Sequence, residues 1–199
     1  MEKLYSLIDS YQDDMVSTLE SLVNIDSGAD CPEGIKAVAE KVGEHLKPLG
    51  FQVEYLETPG VATHILAKKQ GTDPNAKNVM IIGHIDTVFP KGTAAARPFR
   101  VENGIGYGPG ALDMKGGVTI ALYALKALTE LDLSKNNVTV LLVGDEEAGH
   151  PHTDAVAQLK KEATRKDAVF DVGTGSDKGT VGLGRTGLYY PELTGEGIA

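Results

Sequence analysis

The chain has 199 residues, 41% of them hydrophobic and 24% charged, and a formal net charge of -9. That length suits one domain with a substantial core and is short for two. The acidity argues against nucleic acid as a partner, because phosphate contacts require clustered Lys and Arg. No run of about 18 apolar residues is present to span a membrane, and residues 1–4 lead into a polar-faced helix without an apolar signal core. The single cysteine, Cys31, has no internal disulfide partner, so a reducing cytoplasm is the expectation.

Leu4, Leu7, Ile8, Tyr11, Met15, Leu19 and Leu22 recur at spacings of three and four, which predicts one amphipathic helix over roughly the first two dozen residues. Asp26-Ser27-Gly28 breaks it. Pro32 suits the first turn of a second helix capped by Asp30 or Cys31, with Ile35, Val38, Val42, Leu46 and Leu49 inward and Gly50 as its stop. Phe51, Val53 and Tyr55 alternate as a strand does; 63–67 reads as another strand, and 71–77 as a polar turn. Val79-Met80-Ile81-Ile82 is short, continuous and apolar, the pattern of a strand covered on both faces. Segments 138–143 and, more briefly, 168–170 repeat it. Helices over about 117–130 and 153–165 lie between them. This alternation predicts an α/β fold, a mostly parallel sheet with helices on both faces. The glycine-rich stretches 104–117 and 173–187 read as loops and turns, and 187–194 as an outer strand.

In open parallel sheets, ligands gather at the carboxyl ends of the strands. His84 and Asp86 stand just beyond one strand, 145–147 beyond another and Asp171 beyond a third, while Asp113 lies in a glycine-flanked loop before a helix. Topology therefore directs these side chains to one rim. Buried carboxylates are costly unless a cation neutralises them, and one imidazole with several carboxylates suits Zn²⁺, with Co²⁺ or Mn²⁺ as substitutes. Two ions about 3.5–4 Å apart can share a hydroxide. One carboxylate must then stay unligated to move the proton, and the adjacent Glu146 and Glu147 can divide that labour. Asp86 is placed to orient the His84 imidazole.

Each residue alone has an ordinary structural reading. His84 suits a hydrogen-bonded strand end, Glu146-Glu147 a solvated surface, Asp113 a cap and Asp171 the start of a turn. Their coincidence at strand and loop ends is what points to metal. His150 and His152 flank Pro151 and read as a surface turn, with replacement ligands as the alternative; His45 and His64 need no chemistry. Gly182-Leu183-Gly184-Arg185-Thr186-Gly187 matches a dinucleotide pattern of three glycines, but 188–191 is strand-like where a helix is needed.

Four segments carry a family likeness: Gly83-His84-Ile85-Asp86-Thr87-Val88-Phe89-Pro90; Pro98-Phe99-Arg100; Tyr107-Gly108-Pro109-Gly110 with Asp113-Met114-Lys115-Gly116-Gly117; and Gly144-Asp145-Glu146-Glu147. Together they resemble the co-catalytic zinc metallopeptidases, the aminoacylases and glutamate carboxypeptidases, most of all the folate-cleaving type. The resemblance implies a zinc exopeptidase-like catalytic domain that hydrolyses an amide bond in a small peptide or N-acyl amino acid. It implies His84 on one Zn²⁺, Glu147 on the other and Asp113 bridging both, with Asp171 at the position of the remaining carboxylate ligand. It further implies Glu146 as general base and Asp86 as the residue that orients His84. Members that cleave a C-terminal residue usually carry Glu where Asp171 stands and aminopeptidases Asp, which leaves carboxypeptidase, aminopeptidase and deacylase open. Members also insert a lid domain after a strand like 188–194. The expectation is that 1–187 form the N-terminal segment of the catalytic domain and 188–199 lead toward a lid. A last His ligand, an Arg for the substrate carboxylate and a homodimer surface would belong to the portion not present, with impaired turnover as the consequence. The alternative is a non-catalytic metal-binding or interaction domain derived from such an enzyme.

Overall fold

Three apolar strands, β3 (Asn78–His84), β6 (Asn137–Val143) and β7 (Ala168–Asp171), pair in parallel, with β3 between the other two. β1 (Gln52–Thr58) and β2 (Ala62–Lys69) form an antiparallel pair that joins through β2 to β6, giving the order β1-β2-β6-β3-β7. Four of the five strands thus point one way, with β2 reversed. The computed structural model describes residues 2–175; the strand expected at 187–194, the glycine pattern at 182–187 and the boundary at 187 lie outside the described residues.

From β3 the chain passes through α5 (Gly116–Glu130) to β6 on one side, then through α6 (Ala155–Ala163) to β7 on the other. Right-handed crossovers in opposite directions along a sheet place their helices on opposite faces. Two apolar clusters follow. On one face Leu22, Ile35, Val38, Val42, Ile65, Val118, Leu122 and Val140 are buried together. On the other, Ala155 and Leu159 of α6 pack on Leu66, Met80, Leu141 and Val143. The mostly parallel sheet with helices on both faces is therefore observed.

The N-terminal stripe forms two helices rather than one, α1 (Glu2–Ser10) and α2 (Gln12–Val23), meeting at Tyr11. The Tyr11 hydroxyl donates to Glu130 Oε2 (2.6 Å) and its ring lies 5.5 Å from that of Tyr123. This anchoring to α5 turns the chain while the apolar positions stay inward. α3 (Pro32–Leu46) begins with Pro in its first turn, and Cys31 precedes it without a side-chain capping bond. Asp30 is engaged elsewhere, accepting the Lys91 backbone N–H at 3.0 Å. Gly50, at φ 87, ends the helical stretch as expected.

The stretch 104–117, read as loop, holds β5 (Ile105–Tyr107), which forms a hairpin with β4 (Arg100–Glu102) just before it. Asn103 (φ 53) and Gly104 (φ 77) supply the left-handed turn that matches strand twist. A four-residue helix, α4 (Thr93–Ala96), precedes it; the Asp26 carboxylate accepts N–H groups from Gly92 (2.7 Å) and Ala94 (2.8 Å) at its start. No helix among the described residues is long and apolar enough to cross a membrane.

Candidate metal centre

His84 is the last residue of β3, and its backbone N–H donates to the Met114 sulfur at 3.0 Å. Met114 fits there because residue 83 has no side chain: a Cβ on Gly83 would lie 2.3 Å from Met114 Cε. His84 Nδ1 lies 3.1 Å from the Asp86 carbonyl oxygen and 3.4 Å from Asp86 Oδ1. A carbonyl only accepts, so Nδ1 carries a proton and Nε2 is the nitrogen free to bind. Nε2 faces Asp113 Oδ1 at 3.1 Å.

Asp113 stands in the irregular turn Ala111–Lys115 that opens α5, entered through Gly110 at φ 72. The Asp113–Met114 peptide is cis. Glu146 and Glu147 lie just beyond β6. The Glu147 backbone N–H donates to Asp86 Oδ2 at 2.9 Å, so Asp86 ties the imidazole to the glutamate loop. His84, Asp113 and Glu147 each bring one ligand atom within 4.8 Å of the others. Three segments remote in sequence meet there.

The charge environment fits a cation. Burial alone would lower the pKa of His84, but the Asp86 hydrogen bonds and charge, with the Glu146 charge, push it up to about 9. Burial, and then the carboxylates of Asp113, Glu146 and Asp86, raise that of Glu147 against the opposing pull of His84. Carboxylates crowded in this way favour any added positive charge, and the nitrogen-and-oxygen donor set suits Zn²⁺.

Asp171 lies outside this group. It pairs with Ile82, so the same register carried two residues on places Gly173 opposite His84. Its Oδ1 accepts the Gly173 N–H at 2.9 Å. Glu146 is exposed, and its backbone carbonyl accepts the Gly149 N–H at 2.8 Å.

A family model described as peptidase family M20/M25/M40 matches residues 80–187. The chain belongs to peptidase family M20/M25/M40. Within the family, carboxypeptidase G2 from Pseudomonas sp. (strain RS-16) is 36% identical over 202 residues, 98% of this chain and 47% of that protein. Among solved structures, human carnosine dipeptidase 1 superposes with a TM-score of 0.72 at 25% identity, covering 85% of this chain and 40% of that one. An M20 family metallo-carboxypeptidase, Sso-CP2 from Sulfolobus solfataricus, superposes with a TM-score of 0.68 at 26% identity, covering 83% and 38%. The chain spans less than half the length of each of these relatives.

One residue of the centre carried no sequence signal for its role. Lys115 is 1% exposed, and its Nζ donates to the carbonyls of Leu22 (2.9 Å) and Ile25 (2.8 Å). Burial lowers its pKa to about 8, with Asp26 and Asp86 opposing. It pins the Asp113 turn to the chain at the end of α2, adding a charged donor to the carbonyls there. A Lys in a glycine-rich segment otherwise reads as surface.

Proposed function

We propose that this chain carries the metal-holding part of a hydrolase that cleaves an amide bond in a small peptide or an N-acyl amino acid. The observation that supports it is the meeting of His84, Asp113 and Glu147 with Asp86 fixing the imidazole tautomer. His84, Asp113 and Glu147 would hold the ion or ions, with Asp113 as the shared ligand of a pair and Zn²⁺ as the metal. When bound, such ions polarise an amide carbonyl and make an attacking water more acidic.

The chain's own residues do the rest. Asp86 holds His84 in the binding tautomer and keeps the glutamate loop against it. Glu146, exposed beside the group, takes a proton from the attacking water and delivers it to the leaving nitrogen. The names of the relatives, two carboxypeptidases and a dipeptidase, support small peptides as the substrate class. Residues 1–187 are read as the N-terminal segment of a catalytic domain and 188–199 as the approach to a lid that carries the dimer surface. The single cysteine and acidic surface suit a reducing cytoplasm without nucleic-acid or membrane partners.

In the protein, Glu146→Gln is expected to lower hydrolysis of dipeptides and N-acyl amino acids by about 100-fold or more while leaving metal content unchanged. An undiminished rate would remove Glu146 as the base. Bound metal without hydrolysis in the unaltered protein would leave a non-catalytic metal-binding domain.

A further inference from the structure

Behind the glutamate pair lies a second polar cluster that the chemistry above does not use. Asp145 is 4% exposed, and its carboxylate accepts from His150 Nδ1 (2.8 Å) and from the Thr153 hydroxyl (2.6 Å). The His150 backbone N–H also donates to the Asp145 carbonyl (3.1 Å), while the Gly149 N–H closes on Glu146. One residue thus holds both the main chain and the side chain of Asp145, and the turn between them carries Glu146 and Glu147. The other side of that turn is tied by the Glu147 N–H to Asp86. Its root is tied by the Gly144 N–H to His64 Nδ1 at 3.0 Å.

His150 sits at φ 57, directly after Gly149 at φ 78. A plain turn in that conformation would take Gly or Asn. What His adds is a ring N–H that reaches a buried carboxylate, and a buried carboxylate short of donors pulls its loop toward water.

We propose that His150 is a positioning residue for Glu146 and Glu147, acting through the buried Asp145 carboxylate; this rests on reading Glu147 as an ion ligand. Residues that orient ligands from behind typically change metal affinity by about 10–100-fold when removed. His150 is therefore neither a ligand nor an idle surface residue.

The test is a Co²⁺ titration of the 199-residue chain, read by visible absorption and calorimetry, with circular dichroism as the check of fold. His150→Gly and His150→Asn both suit the left-handed backbone, but only Asn keeps an N–H donor. His150→Gly is expected to weaken Co²⁺ binding by about ten-fold and alter the visible band, and His150→Asn to restore both. Glu147→Gln separates the two claims. If it binds Co²⁺ like the unaltered chain, the ligand reading fails whatever His150 does. If it loses Co²⁺ while His150→Gly binds normally, the positioning role fails alone. Should His150→Gly not fold, His150→Asp suits the same left-handed backbone but carries no N–H donor, and unchanged Co²⁺ affinity there overturns the proposal.

Discussion

Asp86 links the two halves of the centre through its carbonyl, which accepts from His84 Nδ1, and its Oδ2, which accepts from Glu147. The same carboxylate neighbourhood lifts His84 from its ordinary 6.5 to about 9. The folded chain then holds a proton that the unfolded chain releases earlier as pH rises. The stability this provides is complete below about pH 6.5 and is lost as pH climbs through about 9. A metal needs the neutral imidazole. Zn²⁺ titration near neutral pH is thus expected to release about one proton per ion, measured by calorimetry in buffers of differing ionisation heat. Binding with no proton release would contradict the raised pKa.

At the scale of elements, register decides what the rim offers. Asp171 ends an apolar run, as expected, and resemblance aligns it with a ligand position. The pairing of β7 with β3 nevertheless sets it beside Ile82, and its carboxylate caps its own turn at Gly173. Asp171→Asn is accordingly expected to leave Co²⁺ affinity unchanged, whereas a loss of about ten-fold would reinstate it as a ligand. Strand-end position was legible from the apolar pattern; the pairing offset that sets Gly173, two residues on from Asp171, level with His84 was not, because a strand's composition does not fix how far it is displaced along its neighbour. The hairpin of β4 and β5 was legible in principle, since Asn103-Gly104 is its turn signal. The break at Tyr11 was not, because partners more than a hundred residues away cause it.

Across the molecule, the three grouped side chains come from β3, the turn before α5 and the loop after β6. An ion held there would cross-link segments that separate on unfolding. Zn²⁺ at about 100 times its dissociation constant is expected to add about 2.7 kcal/mol to the unfolding free energy. Urea denaturation with and without a chelator reads that difference; identical midpoints would mean that no such link forms.

Apolar runs, helix spacings, the positions of His84, Asp86, Glu146 and Glu147 beyond strand ends and that of Asp113 in a loop were readable along the chain, because periodicity and turn chemistry are local properties. Tertiary structure alone decided that Lys115 is buried at the end of α2 and that the Glu147 N–H reaches Asp86. Each of those facts is a matter of which polar groups find partners once water is excluded. That depends on how remote segments meet rather than on what each segment contains.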